Sequence, residues 1–346
     1  MNGFAGDGPT PGPDGGPGPA PEGGVAPGEP VAGRYRRERV LGRGGMGVVW
    51  RATDTLIERP VALKELRPPA GDDSPSFVER ALREARNAGR LNHPGIVGVH
   101  DVIAPAAGAD PVVYLVMELV EAPSLAEVLD REGPLPPARV AALGAGILDA
   151  LTAAHAMGVV HRDVKPGNVL VLDGDRVKLT DFGIALAAED SRLTSTGVVG
   201  THAYLAPECF DQGPVGPATD LWALGATLFH AVAGRPPFER ATTTETLRAI
   251  LFEPPPPPPC GPPLADAIAG LLTRPVEHRL AGGAARDLLA RAAATMPTAD
   301  APPTPAPAGA PAWAAQATGV HRPPTATTQP GGGPVPAHPT APGGPP

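Results

Sequence analysis

Glycine fills 44 and proline 49 of the 346 positions, about 27% of the chain against roughly 12% in ordinary proteins, which excludes one packed core running from end to end. A net charge of -8 with no basic run excludes a protein whose main partner is nucleic acid, because nothing concentrates cations against phosphates. Two cysteines, Cys209 and Cys260, exclude a disulfide framework, match no zinc spacing and point to a reducing compartment.

Residues 1–33 are rich in proline and glycine without periodicity and read as a disordered tail. They lack the positive start and apolar stretch of a signal peptide, so a cytoplasmic location is expected. From Arg34 the pattern changes to short strand-like runs joined by turn residues, as in antiparallel hairpins. The first turn contains Gly42-Arg43-Gly44-Gly45-Met46-Gly47, a match to G-x-G-x-x-G. No helix opens after the third glycine; Val48-Val49-Trp50 continues as a strand, which disfavours a dinucleotide fingerprint. A hairpin covering nucleotide phosphates and a plain tight hairpin both remain open at this point.

Val61-Ala62-Leu63-Lys64 follows, and Lys64, Lys165 and Lys178 are the chain's three lysines, basic positions elsewhere being arginine. That retention hints at a need for a compact ammonium. For Lys178, beside a strand, a solvated side chain is the expectation. Ser76 to Leu91 carries apolar residues near helical spacing and is stopped by Asn92-His93-Pro94. Val112 to Val120 reads as a strand and Ser124 to Arg131 as a short helix. Val140 to Val160 is long enough to cross a membrane but carries Asp149 and His155, and its first part, to Met157, reads better as a buried helix. Two short strands, Val169 to Leu172 and Val177 to Thr180, flank the turn Asp173-Gly174-Asp175, and another buried helix runs from about Thr219 to Ala233. The order suggests a small sheet-rich lobe followed by a larger helical one. Six prolines from Pro254 to Pro259 read as an extended polyproline segment, a spacer in preference to a docking site. About 293–346 form a second disordered tail, in which Thr298, Thr304 and Thr325 are candidate modification sites.

His161-Arg162-Asp163-Val164-Lys165-Pro166-Gly167-Asn168, then Asp181-Phe182-Gly183, then Ala206-Pro207-Glu208, stand in an order and spacing that resembles a protein kinase of the bacterial, eukaryotic-like serine/threonine type. The resemblance covers about 34–292 and neither tail. It implies an α+β, bilobal protein kinase fold, with an N-lobe of about 34–120 and a C-lobe of about 121–292. It also implies ATP as co-substrate, magnesium with manganese as substitute, and proteins as phosphoryl acceptors. By that resemblance Lys64 holds the α- and β-phosphates and is held in turn by Glu84; Glu79, five residues earlier, lies on another helix face. Asp181 and Asn168 are the expected metal ligands, oxygen donors of the kind magnesium takes. Asp163 would take or orient the substrate hydroxyl proton, Lys165 would steady the γ-phosphate, and Thr201 would contact the catalytic aspartate.

The phosphate-covering loop would be Leu41, Gly42, Arg43, Gly44, Gly45, Met46, Gly47 and Val48. Val49 and Ala62 above and Leu170 below would enclose the base, with Met117 as gatekeeper and the backbone of Glu118 and Val120 binding adenine. Arg162 would be an uncompensated cation unless a phosphate on Thr194, Ser195 or Thr196 reached it, which implies autophosphorylation of an activation segment. His161 and Phe182 are expected to pack internally, and Glu208 with Arg279 and the segment Asp220-Leu221-Trp222 with Gly225 to serve as scaffold. Leu186, Leu280 and the stretch Pro254 to Pro263 depart from the family pattern without touching metal or base positions. The alternative is a pseudokinase scaffold, which would be expected to lack one of Lys64, Asp163, Asn168 or Asp181; a small-molecule kinase is disfavoured by Thr201 and Ala206-Pro207-Glu208. The resemblance allows a homodimer and partners that read phosphothreonine, and no membrane span is expected.

Overall fold

A computed structural model describes residues 30–44, 47–68, 75–106, 110–182, 201–210 and 215–294. Gly45, Met46, Gly183, Leu186, Thr194, Ser195, Thr196, Thr298, Thr304 and Thr325 lie outside these residues, as do most of both tails. The chain divides into two units, Met1–Met296 and Pro297–Pro346, and everything described belongs to the first.

The small lobe is a five-stranded antiparallel sheet of β1 (Tyr35–Gly44), β2 (Gly47–Asp54), β3 (Arg59–Leu66), β4 (Val99–Ile103) and β5 (Val113–Glu118), in the order β1-β2-β3-β5-β4. β3 is central and buried on both faces, so its alternation sorts side chains between two apolar clusters. Val61 and Leu63 join Tyr35, Ala52 and Val116 on one face. Ala62 and Leu66 join Leu115 and Met117 on the other. That second face is covered by α1 (Pro75–Ala88), which buries Phe77, Ala81, Ala85 and Ala88. The same alternation carries Lys64 to the α1 face, opposite Leu115 of β5.

The larger lobe starts with α2 (Leu125–Glu132), whose N-terminus is closed by a reciprocal cap: Ser124 Oγ accepts from the Glu127 amide at 3.2 Å and the Glu127 carboxylate accepts from the Ser124 amide at 2.7 Å. α3 (Pro137–Ala156) starts three residues before the expected Val140, with Pro137 in the first turn, where a missing amide costs nothing. Among the described residues it is the one helix long and apolar enough to cross a membrane, and here it is a core helix packed on α4 (Pro217–Ala233) and α7 (Gly282–Ala294). The hairpin of β6 (Val169–Val171) and β7 (Val177–Leu179) lies between α3 and the small lobe. α5 (Thr243–Phe252) and α6 (Leu264–Leu271) are joined by the proline-rich stretch, which runs without helix or strand from Pro254 to Pro258.

Two ties join the lobes through β7. The amide of Val97 donates to Leu179 O at 2.9 Å and the amide of Leu179 to Gly95 O at 2.8 Å. The cleft between the lobes is therefore bounded on one side by backbone hydrogen bonds and on the other by the β5–α2 connection.

Candidate active site

β2 begins close against β3. Gly47 has φ 133°, and a Cβ there would fall 1.8 Å from the carbonyl oxygen of Glu65, so only glycine fits. Leu41, Gly42 and Arg43 are exposed along the cleft edge, and Val48 is half-buried opposite Glu65. Gly44 ends β1. Val49, Val120 and Leu170 are partly buried against the cluster that contains Ala62 and Met117, so the three residues expected to enclose a base, Val49, Ala62 and Leu170, meet the expected gatekeeper and Val120 in one place. Ala62 and Met117 are direct partners across β3 and β5. The amide of Glu118 donates to Gly98 O at 2.8 Å, while Leu119 and Val120 make no backbone hydrogen bond among the described residues. Unpaired backbone groups beside an apolar slot suit a flat heterocycle with its own donors and acceptors.

The loop from His161 to Asn168 has almost no regular structure and is held by side chains. Asp220 at the start of α4 is fully buried; its Oδ2 accepts from the His161 amide at 2.8 Å and its Oδ1 from the Arg162 amide at 2.7 Å. His155 Nε2 lies 2.7 Å from the same carboxylate. His161 Nδ1 accepts from the Asp163 amide at 3.2 Å, so its Nε2 carries the hydrogen and donates to Thr180 O at 2.9 Å. The His161 ring also packs on Phe182 with centroids 4.4 Å apart, the internal packing expected of both.

Asp163 is buried with one oxygen engaged. Its Oδ2 accepts from Asn168 Nδ2 at 2.8 Å and pairs with Lys165 Nζ at 2.7 Å, leaving Oδ1 without a partner among the described residues. Asn168 Nδ2 also donates to Asp163 O at 2.7 Å, so the amide is fixed and its Oδ1 faces elsewhere.

Lys64 is 4% exposed and its Nζ lies 2.7 Å from Asp181 Oδ1. The pairing differs from the one expected: Glu84, half-buried on α1, makes no ion pair among the described residues. Asp181 follows β7 in the left-handed region, φ 68°, and its carboxylate reaches β3 across the cleft; a buried ammonium takes the carboxylate it meets at hydrogen-bond distance. Burial works against the charge on Asp181, but the ammonium of Lys64, helped by His161 and Lys165, outweighs it and holds the carboxyl below its usual value.

Arg162, also left-handed at φ 69°, is half-buried, and its Nε is enclosed without a hydrogen-bond partner among the described residues. Thr201 begins a short 3₁₀ turn, Thr201–Tyr204, packed on α4 and α5. Glu208 and Arg279 form the expected ion pair at 2.6 and 3.0 Å.

Two participants were missed in the sequence. His155 carried no signal beyond its place in a buried helix. Lys178, expected in solvent, lies 2.7 Å from both carboxylate oxygens of Glu118 with 17% of its side chain exposed; the scarcity of lysine was the available clue.

Among the described residues no cluster of three or more His, Cys, Asp or Glu side chains is arranged as a metal cage. One carboxylate and one amide oxygen, Asp181 and Asn168, instead suit a cation that takes its remaining ligands from substrate phosphates and water.

A small antiparallel lobe and a larger helical lobe, with an ammonium, two carboxylates and an amide converging between them, define a phosphotransferase of the protein kinase class. The family model described as "Protein kinase domain" matches residues 35–291. The chain is 39% identical over 328 residues to the serine/threonine-protein kinase PknA of Mycobacterium tuberculosis, covering 87% of this chain and 76% of that protein. It is 40% identical over 274 residues to the serine/threonine-protein kinase PknE of Mycobacterium bovis, covering 78% and 47%. It is also 42% identical over 212 residues to the probable serine/threonine-protein kinase PknB of Corynebacterium glutamicum, covering 60% and 33%. The chain belongs to the protein kinase family and is a bacterial, eukaryotic-like serine/threonine protein kinase, an enzyme that uses ATP and acts on proteins.

Proposed function

We propose that residues 34–292 act as a magnesium-dependent kinase whose activity is raised by autophosphorylation of its own activation segment, in the cytoplasm. The observation that carries the chemistry is the half-engaged carboxylate of Asp163. Its Oδ2 is held by Asn168 and Lys165, and its Oδ1 is left to receive a proton. In the transfer the serine or threonine hydroxyl of the protein substrate gives its proton to Asp163. Its oxygen bonds to the γ-phosphorus as the bond from that phosphorus to the β-phosphate oxygen breaks, and ADP leaves.

Lys64 crosses from β3 to neutralise the phosphates, and Lys165, beside Asp163, follows the charge on the moving phosphoryl group. Asp181 and Asn168 would hold the divalent cation, which supplies charge neutralisation; their hard oxygens favour Mg²⁺, with Mn²⁺ as substitute. A phosphate on Thr194, Ser195 or Thr196 would meet Arg162, whose enclosed Nε supports an anion partner. Glu84 remains the family's partner for Lys64, and exchange of Lys64 from Asp181 to Glu84 would accompany nucleotide binding.

The test is incorporation of phosphate from Mg-ATP into the purified chain, with sites mapped by mass spectrometry. Asp163→Asn is expected to lower kcat by about 10²–10⁴-fold, the usual contribution of a positioned base, while nucleotide still binds. Labelling of wild type at Thr194, Ser195 or Thr196, absent in the variant, supports the reading. Equal labelling of both overturns the role of Asp163.

A further inference from the structure

β6 and β7 pair antiparallel with Leu170 directly opposite Lys178, and directly opposed residues share a face of the hairpin. Val177 and Leu179 are buried in the larger lobe, so Lys178 and Leu170 take the other side, toward the small lobe. Leu170 there packs against the apolar cluster that includes Val49, Ala62, Met117 and Val120. Lys178 spans the rest of the gap and places its ammonium 2.7 Å from both oxygens of Glu118, the last residue of β5. The same carboxylate accepts from the Gly98 amide at 3.3 Å. One carboxylate thus joins the strand end above the cleft, the loop before β4, and the hairpin below it.

The backbone ties already described fix β7 beside Gly95 to Val97, on one side of this carboxylate. Without Lys178 the end of β5 would be held to the larger lobe only indirectly, through the Glu118–Gly98 backbone hydrogen bond beside Val97 and through the covalent chain from Leu119 onward. The height of the apolar slot between Ala62 and Leu170 depends on that separation. A bidentate contact on a partly exposed carboxylate sets that separation at the end of β5.

We propose that Lys178 is a positioning residue for nucleotide binding, a clamp that holds Glu118 to the β6–β7 hairpin and so sets the width of the base slot. This rests on the reading that the backbone of Glu118 and Val120 receives adenine, and the experiment separates the two. Lys178 touches no reacting group; it acts through Glu118.

The experiment measures binding of a fluorescent ATP analogue, KM for ATP, KM for a peptide acceptor, kcat and thermal midpoint for wild type, Lys178→Met, Lys178→Arg and the reversed pair Lys178→Glu with Glu118→Lys. Lys178→Met is expected to raise the ATP KM about fivefold, with kcat and the peptide KM within about twofold and the thermal midpoint within about 2 °C, because a half-exposed pair contributes little to global stability. Lys178→Arg should stay near wild type, and the reversed pair should recover most of the loss. Added salt should narrow the difference between wild type and Lys178→Met.

An unchanged ATP KM in Lys178→Met overturns the clamp. So does a rise in both KM values together with a lower thermal midpoint, which would mark the pair as general scaffold. Wild type that binds no nucleotide overturns the adenine assignment and the clamp with it, whereas wild type and Lys178→Met that bind the analogue equally overturn the clamp alone.

Discussion

The guanidinium of Arg279, 1% exposed, donates to both oxygens of Glu208 and to the carbonyls of Ala218, Thr273 and Arg274, and lies 5.1 Å from the Trp222 ring centroid. Removing it strands a carboxylate in a desolvated setting, so Arg279→Met should cost about 3–5 kcal/mol at pH 7, read from denaturant midpoints. Burial raises the pKa of Glu208, but Arg279 outweighs that and holds it below the usual value. A depressed carboxylate pKa contributes stability that is complete above the unfolded value of about 4.3 and is lost as pH falls through the native value. The difference between wild type and Arg279→Met should therefore be largest at neutral pH and shrink as pH falls, first as the stranded Glu208 of the variant, raised by burial, takes up a proton, and then below about pH 4 as the wild-type pair is lost. A difference constant to pH 3 would contradict the pairing. Asp163, Lys165, Asn168 and Asp181 were legible because they stand inside short motifs whose order and spacing resemble those of a protein kinase. Whether Lys64 met Glu84 or Asp181, and whether Lys178 stayed in solvent, were not legible, because each depends on which carboxylate the folded lobes bring within 3 Å.

At the scale of elements, the helices with a buried stripe and the strands with alternation were legible, and their ends shifted by a few residues. α1 ends at Ala88 and not Leu91, and α3 begins at Pro137. β4 was missed because an edge strand needs only one protected side: Val99 to Ile103 includes His100 and Asp101 and is only half-buried. α5, α6 and α7 were covered only by the general expectation of a helical lobe. They are short, and the prolines and glycines between them mask the period on which helix recognition rests.

Gly225 shows what their packing demands. On α4 it faces α6, and a Cβ there would lie 2.8 Å from Leu271 Cβ and 3.2 Å from Leu272 Cγ. Neither atom is the free end of a flexible chain. Gly225→Ala should destabilise the larger lobe by about 1–3 kcal/mol through overpacking, although alanine favours a helix. A neutral or stabilising effect in thermal melts would mean that α4 and α6 can separate at little cost.

For the molecule as a whole, the division into a sheet lobe and a helical lobe was legible because hydrophobic period changes from two to about 3.6 along the chain. The way the lobes meet was not. That contact is made by the Leu179 backbone, by Glu118 with Lys178 and by Lys64 with Asp181, none of which carries a periodic signal, and by Ala88, Leu91 and Ile96, small-lobe residues that join the larger lobe's core. The end of α1 and the segment from Leu91 to Ile96 are therefore anchored in the larger lobe's core, while the sheet keeps apolar clusters of its own, an arrangement that lets the sheet move about that anchor.

Asp220 grips the amides of His161 and Arg162 from the first turn of a helix that is buried along most of its length. The loop bearing Asp163 has little order of its own to lose, so it should persist on warming for as long as α4 does. Heat should thus abolish activity and melt the larger lobe together, with half-inactivation and the tertiary transition within about 2 °C of each other. In Asp220→Asn the two events should part, catalysis fading while the fold still stands. An enzyme so built gives no early warning of heat: it works at full strength until it denatures.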